Sequence, residues 1–457
     1  MEPLILTTRE HDLFPKELKE RLGDKANDVC NRISTAYKSN DKRFLGINPE
    51  YRAGYYIGCT WLLSPSENGT AVAIQVTHKI ENVDYVQMFL TALNVRSSEE
   101  AEYFSDYYHI DFNSPAIEIK SEQNLITPLL LLHYITLLEQ LSHNGLRRNY
   151  IRREENLQSK IRGKILFNRH LKQNVFNKRE DRIFCGYQEY TIDTPENRLL
   201  KKALVCAKKE LETILSLNDE IKDGIYSKLA PIESTFECVS ENVTLSQVNF
   251  VKSSKLYRHY DEAIKVAKMI LQSIDYEILD NKKEHCYKVH PFWIDMPRLY
   301  EMYVLSLLRK AYGNEIIFQA RGYRKTRADY IKISDNEKLI IDAKYKPKYS
   351  DGNVGILNDI QEMSRYARDK NILNDLNWSP TEEDCKNDRC FPKCLIIYPD
   401  PNTVFKKEKD DEYGEERVMT AMTGDFLKEG ILEDKQHISK IPGFKEFYKI
   451  AVPLPTK

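Results

Sequence analysis

The chain has 457 residues, and its 68 basic and 69 acidic side chains leave a net charge of −1. An apolar fraction of 41% argues against a disordered chain, and nine cysteines in a chain of this length argue against a small secreted disulfide scaffold. The N-terminus has no basic and apolar leader, and the longest apolar stretch, 128–141, is too short and too polar to span a bilayer. We therefore expect a soluble, cytoplasmic protein of two or three domains with no membrane partner.

The first 120 residues are rich in strand-forming residues and turn signals. Residues 51–63 and 71–80 have β-type composition, and the polar turn 64–69 between them predicts a hairpin. A short helix is predicted over 84–93 and a further strand over 116–119. We interpret residues 1–120 as a β-rich N-terminal domain that docks a partner.

The pattern changes to helical spacing from about residue 121. Apolar residues recur on one helical face over 129–141, and Gly145 follows as a helix terminator. Thr194 and Pro195 form a cap and first turn for a helix that runs to about Leu215. We interpret residues 121–283 as a mostly helical middle region.

Residues 284–457 alternate between helical and strand patterns, which is typical of an α/β domain. The predicted elements are a helix over 297–312, strands over 315–319, 328–333 and 338–345, a helix over 355–370, and strands over 393–398 and 447–454. The chain as a whole is thus predicted to be an α+β multidomain protein.

One hairpin of this last domain carries candidate chemistry. Two β-type runs, 327–333 and 338–345, flank a four-residue polar turn. If the turn is symmetric, residue 333 pairs with 338, and Asp329 then lies directly opposite Asp342. Lys344 is two residues further along and shares that face. The sequence therefore predicts two carboxylates and one ammonium group on one patch.

This grouping is suited to metal-assisted hydrolysis of a phosphodiester. Opposed carboxylates in a buried strand repel each other, and a hard cation such as Mg²⁺ or Mn²⁺ relieves the repulsion. A lysine beside the cation can stabilise negative charge that develops on phosphorus. Glu301 lies on the apolar face of its predicted helix, either as a third ligand or as an acid that reaches solvent from the first turn. An aspartate near an Asp-x-Lys also occurs by chance.

Residues 297–399 resemble the PD-(D/E)XK nuclease fold, with Ala328-Asp329 in place of Pro-Asp and Asp342-Ala343-Lys344 as the (D/E)-x-K. A longer set of segments resembles the McrC family, the nuclease subunit of the 5-methylcytosine-specific McrBC restriction system. These segments are DAKYK at 342–346, NGLRRNY at 144–150, IRGKI at 161–165, DTPENR at 193–198 and VPLP at 452–455.

The resemblance implies a role for each site residue. Asp329, Asp342, the Ala343 carbonyl and Glu301 would be ligands of Mg²⁺ or Mn²⁺, and Lys344 would be the catalytic lysine. The following helix often carries Gln four residues before Tyr, but here Glu362 precedes Tyr366, so no role is assigned to Glu362.

The resemblance also implies a partner, the McrB-type AAA+ GTPase, a hexameric ring that recognises the modified base and whose activity McrC stimulates. The present sequence has no G-x-x-x-x-G-K-[ST] motif. A motor would therefore have to come from another chain.

Local basic runs predict contact with DNA. The segment 147–182 has twelve Lys or Arg and four Asp or Glu, with aromatic residues between them, and it includes Arg162 and Lys164. A solvated helix face is the alternative. The other predicted DNA-binding residues flank the acidic site and are Arg321, Arg324, Lys325, Arg327 and Lys346.

Two further functions stay open on the sequence alone. One is a catalytically silent adaptor that activates a partner NTPase, and the other is a stand-alone nuclease for RNA or single strands. The spacing of Cys385, Cys390 and Cys394 is poor for a metal site, and we interpret them as loop or core residues.

Overall fold

A computed structural model gives the fold of the chain. It describes residues 3–14, 16–39, 42–65, 71–81, 83–92, 107–111, 113–120, 126–214, 219–248, 258–277, 286–323, 326–334, 338–346, 356–381, 390–399 and 438–455. The chain divides into two compact units, one formed by residues 1–125 together with 285–457 and the other by 126–284. The first and last predicted domains thus belong to one unit, while the middle unit begins and ends near the predicted boundaries.

The first sheet has five strands in the order β1-β3-β2-β10-β4. Its strands are β1 (Leu4–Arg9), β2 (Tyr56–Leu63), β3 (Val72–Thr77), β4 (Tyr108–Ile110) and β10 (Phe292–Asp295). Strands β2 and β3 pair antiparallel, which confirms the predicted hairpin, although residues 66–70 of its turn lie outside the described residues. Helices α1 (Glu17–Leu22), α2 (Ala26–Ser39) and α3 (Tyr85–Ala92) belong to the same part of the chain.

Strand β10 belongs to this sheet although it follows the boundary that we predicted at residue 284. It pairs antiparallel with both β2 and β4, and all four of its residues are buried. Trp293 packs in the core formed by the N-terminal strands and helices. Burial of an indole is worth several kcal/mol of apolar transfer, and this explains why the strand joins a distant part of the chain. A two-stranded antiparallel sheet likewise joins β5 (Ile117–Lys120) to the distant strand β9 (Cys286–Val289).

The second sheet of this unit has six strands in the order β11-β12-β13-β14-β16-β15. The strands are β11 (Ile316–Arg321), β12 (Arg327–Ile333), β13 (Lys338–Ala343), β14 (Lys393–Pro399), β15 (Ile438–Lys440) and β16 (Phe447–Val452). Five of them match predicted strands, and β15 was not predicted. Strands β13, β14 and β16 are parallel neighbours, and the near-continuous burial of β13 and β14 fits strands covered on both faces.

Two helices flank the strands that carry the candidate site. The first, which precedes β11, is Met296–Tyr312; its Asp295 side chain accepts a hydrogen bond from the Arg298 amide and caps it. The second, Ile356–Tyr366, packs Ile360 and Met363 into a core with β12 and β14. A short helix, Lys370–Asp375, follows it.

The middle unit is only partly helical, and here the prediction was incomplete. Its helices are Ile126–Asn144, Phe167–His170, Pro195–Ile214, Asp219–Thr235 and Arg258–Glu277. Between the first and third of these lies a three-stranded antiparallel sheet in the order β6-β8-β7, formed by Asn149–Gln158, Arg182–Thr191 and Lys164–Ile165. Strand β6 has no buried residue, so it lacks the apolar alternation by which sequence patterns reveal strands.

A buried asparagine joins three segments of the middle unit. Asn197 has no exposed surface, and its side chain donates to the carbonyls of Arg147 (2.9 Å) and Ile192 (2.7 Å). The Tyr260 hydroxyl donates to its Oδ1 at 3.1 Å. Its backbone amide donates to the Thr194 hydroxyl, which caps the helix as predicted. The DTPENR and NGLRRNY segments therefore meet at one hydrogen-bonded centre.

Replacing Asp193 with asparagine is expected to lower the melting temperature at neutral pH and to flatten its decline toward acid pH. Hydrogen bonds from Arg198 hold the pKa of Asp193 below its ordinary value. The pair therefore stabilises the fold above the unfolded pKa of about 3.9, and this contribution is lost as the pH falls through the lower folded pKa. Both side chains are partly exposed, so we expect about 1 kcal/mol at pH 7.

Thermal melts across the acid range test this expectation. Asp181→Asn is the matched control, because the Asp181 side chain is 52% exposed against 16% for Asp193. The prediction would be contradicted if the difference in melting temperature between wild type and Asp193→Asn stayed constant from neutral to acid pH.

Within the described part of the chain, no helix combines the length and the apolarity that a bilayer crossing requires.

Candidate active site

The predicted hairpin register is confirmed. Ile333 pairs with Lys338 and Tyr330 with Ile341, and the same register sets Asp329 across from Asp342. The backbone ladder between β12 and β13 ends at Tyr330, and the Ala343 amide donates instead to the Asp329 carboxylate, at 2.9 Å. The Asp329 side chain thus replaces a strand carbonyl at the point where the two strands separate.

The neighbouring strand β11 has an unusual backbone conformation at this point. Gln319 of β11 has a φ of +54°, in the left-handed region, while Phe318 and Ala320 on either side of it remain paired with Tyr330 and Ala328. A left-handed residue that is not glycine costs about 1 kcal/mol or more. Such strain concentrates where a strand must present a side chain in a particular direction, and here the residue across from Gln319 is Asp329.

The two aspartates form one electrostatic unit. Asp342 is 2% exposed and Asp329 is half-buried, and their carboxyl groups are close enough to share a hydrogen bond. Burial raises the pKa of Asp329 well above its ordinary value, and the negative charges of Glu301 and Asp342 raise it further. Burial also raises the pKa of Asp342. Such a pair takes up either a proton or a cation.

Lys344 lies on the same patch, as predicted. Its Nζ is 2.8 Å from Asp342 Oδ2 and 3.0 Å from Glu362 Oε2. Burial lowers the pKa of Lys344, but the charges of Asp342 and Asp329 outweigh burial and raise it above its ordinary value. The lysine is therefore a fixed positive charge at neutral pH.

Glu362 is a site residue to which the sequence comparison assigned no role. Its two carboxylate oxygens accept hydrogen bonds from Lys344 and from the Tyr366 hydroxyl, at 3.0 and 2.8 Å. Burial raises the pKa of Glu362, but Lys344 and Tyr366 reverse the effect and hold it below its ordinary value. The four-residue spacing of Glu362 and Tyr366 on one helix was the available signal.

Glu301, on the helix Met296–Tyr312, lies near Asp329. It is half-buried, its charge acts on Asp329, and the Tyr330 hydroxyl donates to its backbone carbonyl. Its helical neighbours Val304 and Leu305 have no exposed surface. The structure thus brings Glu301 to the acidic patch, and its assignment as a metal ligand stays a prediction.

The predicted DNA-binding residues are distributed over both units. Arg321 and Arg327 are exposed and face each other across β11 and β12, whereas Arg324 and Lys325 lie outside the described residues. Lys346 forms an ion pair with the buried Asp359 at 2.8 Å. The remaining two, Arg162 and Lys164, are exposed in the middle unit, where the Arg162 guanidinium stacks 4.1 Å from the Tyr187 ring centroid.

The acidic patch suits a divalent cation in its donor chemistry, although its ligands are few. Asp342 Oδ2 is buried and, apart from the ion pair with Lys344, has no hydrogen-bond donor among the described residues. A cation would satisfy this oxygen and offset the repulsion between the two aspartates. Across the described ranges, no group of three or more His, Cys, Asp or Glu side chains has the arrangement of a metal site. A bound cation would therefore need further ligands, for which the Ala343 carbonyl, Glu301 and water are the predicted candidates.

The two described cysteines of the segment 385–394, Cys390 and Cys394, have structural surroundings. Cys394 is a buried free thiol whose pKa burial raises to about 12, and Cys390 is disulfide-bonded. Cys385 lies outside the described residues.

A family model for the McrBC 5-methylcytosine restriction system component matches residues 67–366, which is more than half of the chain. The chain belongs to the McrBC family. The match includes the middle unit and extends through the hairpin and Glu362 to Tyr366. A search of curated proteins found no match.

Two solved structures are similar to the chain at 14% sequence identity. One is a refined half-complex of the tetradecameric assembly of Thermococcus gammatolerans McrB AAA+ hexamers with bound McrC, with a TM-score of 0.37 over 98% of this chain and 94% of that chain. The other is the McrBC complex of the same organism, with a TM-score of 0.27 over 66% of this chain and 87% of that chain.

Proposed function

We propose that the chain is the DNA-cleaving subunit of an McrBC-type restriction system, a Mg²⁺-dependent endonuclease. The observation that carries this proposal is the meeting of Asp329, Asp342 and Lys344 at the point where β12 and β13 separate. Family membership supports the restriction system, and the chemistry of the patch supports cleavage of a phosphodiester.

The elements around the patch support a PD-(D/E)XK nuclease fold for this part of the chain. A helix precedes the sheet, the hairpin β12-β13 lies within it, and a second helix leads to the parallel strand β14. The two aspartates of the hairpin and Glu362 of the second helix then lie around Lys344, while the charge of Glu301 on the first helix acts on Asp329. This order is the one that the sequence resemblance implies.

Each side chain of the patch would have a distinct task. Asp329 and Asp342, with the Ala343 carbonyl, would hold the divalent cation, and a bound cation would supply positive charge to the phosphate and its attacking water. Lys344 remains protonated at neutral pH and would stabilise negative charge on a phosphoryl oxygen. Glu362 and Asp342 restrict the ammonium from two sides, so little reorganisation is needed when substrate binds.

The proposed partner is an AAA+ GTPase ring of the McrB type. The family supports this partner, and the sequence, which has no P-loop motif, supports the view that the chain relies on another protein for nucleotide hydrolysis. Recognition of the modified base would then belong to the partner, and the present chain would contact DNA through its phosphates.

Cleavage is expected only when the chain, its AAA+ partner, GTP and Mg²⁺ are combined with DNA that contains 5-methylcytosine. Removal of the cation with EDTA should abolish cleavage, and Mg²⁺ or Mn²⁺ should restore it, because without the cation the phosphate and its attacking water would lose the positive charge that the aspartates hold in place. The measurement is conversion of supercoiled plasmid to linear DNA.

Ca²⁺, which binds oxygen ligands with looser geometry, serves as the control cation and should support DNA binding without cleavage. Stimulation of the partner GTPase without any cleavage would instead favour a silent adaptor. Cleavage of RNA or single strands without the partner would favour a stand-alone nuclease.

A further inference from the structure

The backbone turns sharply directly after Lys344. Strand β13 ends at Ala343, the Lys344 amide still donates to the Ile397 carbonyl of β14 at 2.8 Å, and the Lys346 amide then donates back to the Lys344 carbonyl at 2.7 Å. Tyr345 is the central residue of this three-residue turn. The direction of the Lys344 side chain therefore depends on how the peptide group of Tyr345 is held.

A residue of the N-terminal part of the unit holds that peptide group. Lys79 lies two residues beyond the end of β3, and its Nζ donates to the Tyr345 carbonyl at 2.9 Å. The same ammonium lies 4.1 Å from the centroid of the Tyr345 ring. Lys79 thus contacts both the backbone and the side chain of the residue that follows the proposed catalytic lysine.

A buried acid fixes Lys79 in turn. Glu10, which directly follows β1, is 3% exposed, and its Oε2 accepts a hydrogen bond from the Lys79 amide at 3.1 Å. Its Oε1 is buried and has no hydrogen-bond partner among the described residues, and burial raises the pKa of Glu10 to about 7 although the Lys79 charge acts to lower it. The bond from the Lys79 amide therefore ties the backbone of Lys79 to the buried Glu10 side chain.

The side chain of Tyr345 is also anchored to the N-terminal part of the unit. Its hydroxyl lies 3.2 Å from the Tyr85 hydroxyl, and Tyr85 donates to the Ile80 carbonyl at 3.0 Å. Tyr345 is 3% exposed, and its ring lies 5.7 Å from that of Tyr300, the residue before Glu301. The turn after Lys344 is therefore clamped at its carbonyl, its ring and its hydroxyl.

We infer that Lys79 is a positioning residue of the nuclease: by holding the Tyr345 carbonyl, it sets the direction of Lys344 toward Asp342 and Glu362. The inference rests on the proposed function, since it gives the N-terminal sheet a part in assembling the proposed active site. Lys79 itself touches none of the proposed reacting groups. It acts through one turn of backbone.

The test uses the full chain with its AAA+ partner and compares Lys79→Met, Lys79→Arg and Lys338→Met. Lys79→Met keeps the length of the side chain and removes the donor, and we expect kcat for DNA cleavage to fall on the order of 100-fold with KM for DNA unchanged. Lys79→Arg keeps a donor and should recover part of the loss. Lys338→Met is the matched control, because Lys338 also donates to a backbone carbonyl, that of Asn377, at the opposite end of β13.

A second measurement does not depend on cleavage. Acylation of Lys344 by an amine-reactive reagent, followed by mass spectrometry on the chain without its partner, should be faster in Lys79→Met than in wild type and unchanged in Lys338→Met. If the wild type does not cleave DNA at all, the proposed function fails and this labelling rate alone decides the inference. The inference would be overturned if Lys344 were labelled at the same rate in Lys79→Met as in wild type. It would also be overturned if Lys79→Met and Lys79→Arg lost equal amounts of kcat and both losses followed a lower melting temperature.

Discussion

Replacing Asp342 with asparagine is expected to reduce DNA cleavage by roughly 1,000-fold or more, while the melting temperature stays the same or rises. Asparagine has nearly the same shape but cannot supply the negative charge that would hold a divalent cation and orient Lys344. The expected effect on stability has the opposite sign to the effect on activity. Burial raises the pKa of Asp342, so the charged carboxylate disfavours folding at neutral pH, and its removal relieves that cost.

The experiment compares plasmid cleavage, thermal melting and assembly with the AAA+ partner for wild type and Asp342→Asn. Asp84→Asn is the matched control. Asp84 caps the helix Tyr85–Ala92 by accepting a hydrogen bond from the Gln87 amide at 3.0 Å, and asparagine caps helices equally well. Cleavage at the wild-type rate by a folded Asp342→Asn protein would reject the proposed active site. Loss of partner assembly together with cleavage would show that the change acts on the fold.

Replacing Asn197 with alanine is expected to destabilise the middle unit by about 3 kcal/mol or more. The change leaves the carbonyls of Arg147 and Ile192 and the hydroxyl of Tyr260 without their present partner, around a side chain that itself has no exposed surface. Each buried polar group that loses its partner costs about 1–3 kcal/mol. For a unit of this size, the loss corresponds to a fall of about 10 °C in its melting temperature.

Asn177→Ala provides the control for this prediction. The Asn177 side chain also donates to two backbone carbonyls, those of Lys172 and Gln173, but it is exposed. Water can replace those bonds, so we expect a change of less than about 1 kcal/mol. Differential scanning calorimetry of both variants measures the two effects. If Asn177→Ala and Asn197→Ala lowered the melting temperature by similar amounts, the burial of Asn197 would not be the source of its effect on stability.

This centre also explains the family-like segments of the middle unit. They contain the cap, the ion pair and the hydrogen bonds that join the end of one helix, the start of the next and a third helix. The residues of DTPENR and NGLRRNY that meet at this centre are therefore architectural.

Apart from β15, the strands of the second sheet follow from local sequence. Short apolar runs that contain isoleucine, a four-residue polar turn and a period of two are short-range signals. They were sufficient to predict the register that sets Asp329 across from Asp342, because a one-residue slip would move Ile340 and Asp342 to the wrong faces. The same reasoning correctly assigned Lys344 to the face of Asp342.

Strand β6 of the middle unit was missed for the converse reason. Strand β6 consists largely of charged and polar residues, and its ten residues are held by backbone bonds to β8 rather than by a buried face. A pattern of hydrophobicity cannot reveal a strand that buries no residue.

Sequence alone determined the pairing of Asp329 with Asp342, the face of Lys344 and about half of the described helices and strands, because these depend on side-chain periodicity within a few turns of chain. Tertiary structure decided that β10 enters the N-terminal sheet, that Glu362 reaches Lys344 and that Lys79 reaches Tyr345 across 266 residues. Such contacts arise from the burial of apolar faces between distant segments, a long-range free energy that no local pattern records.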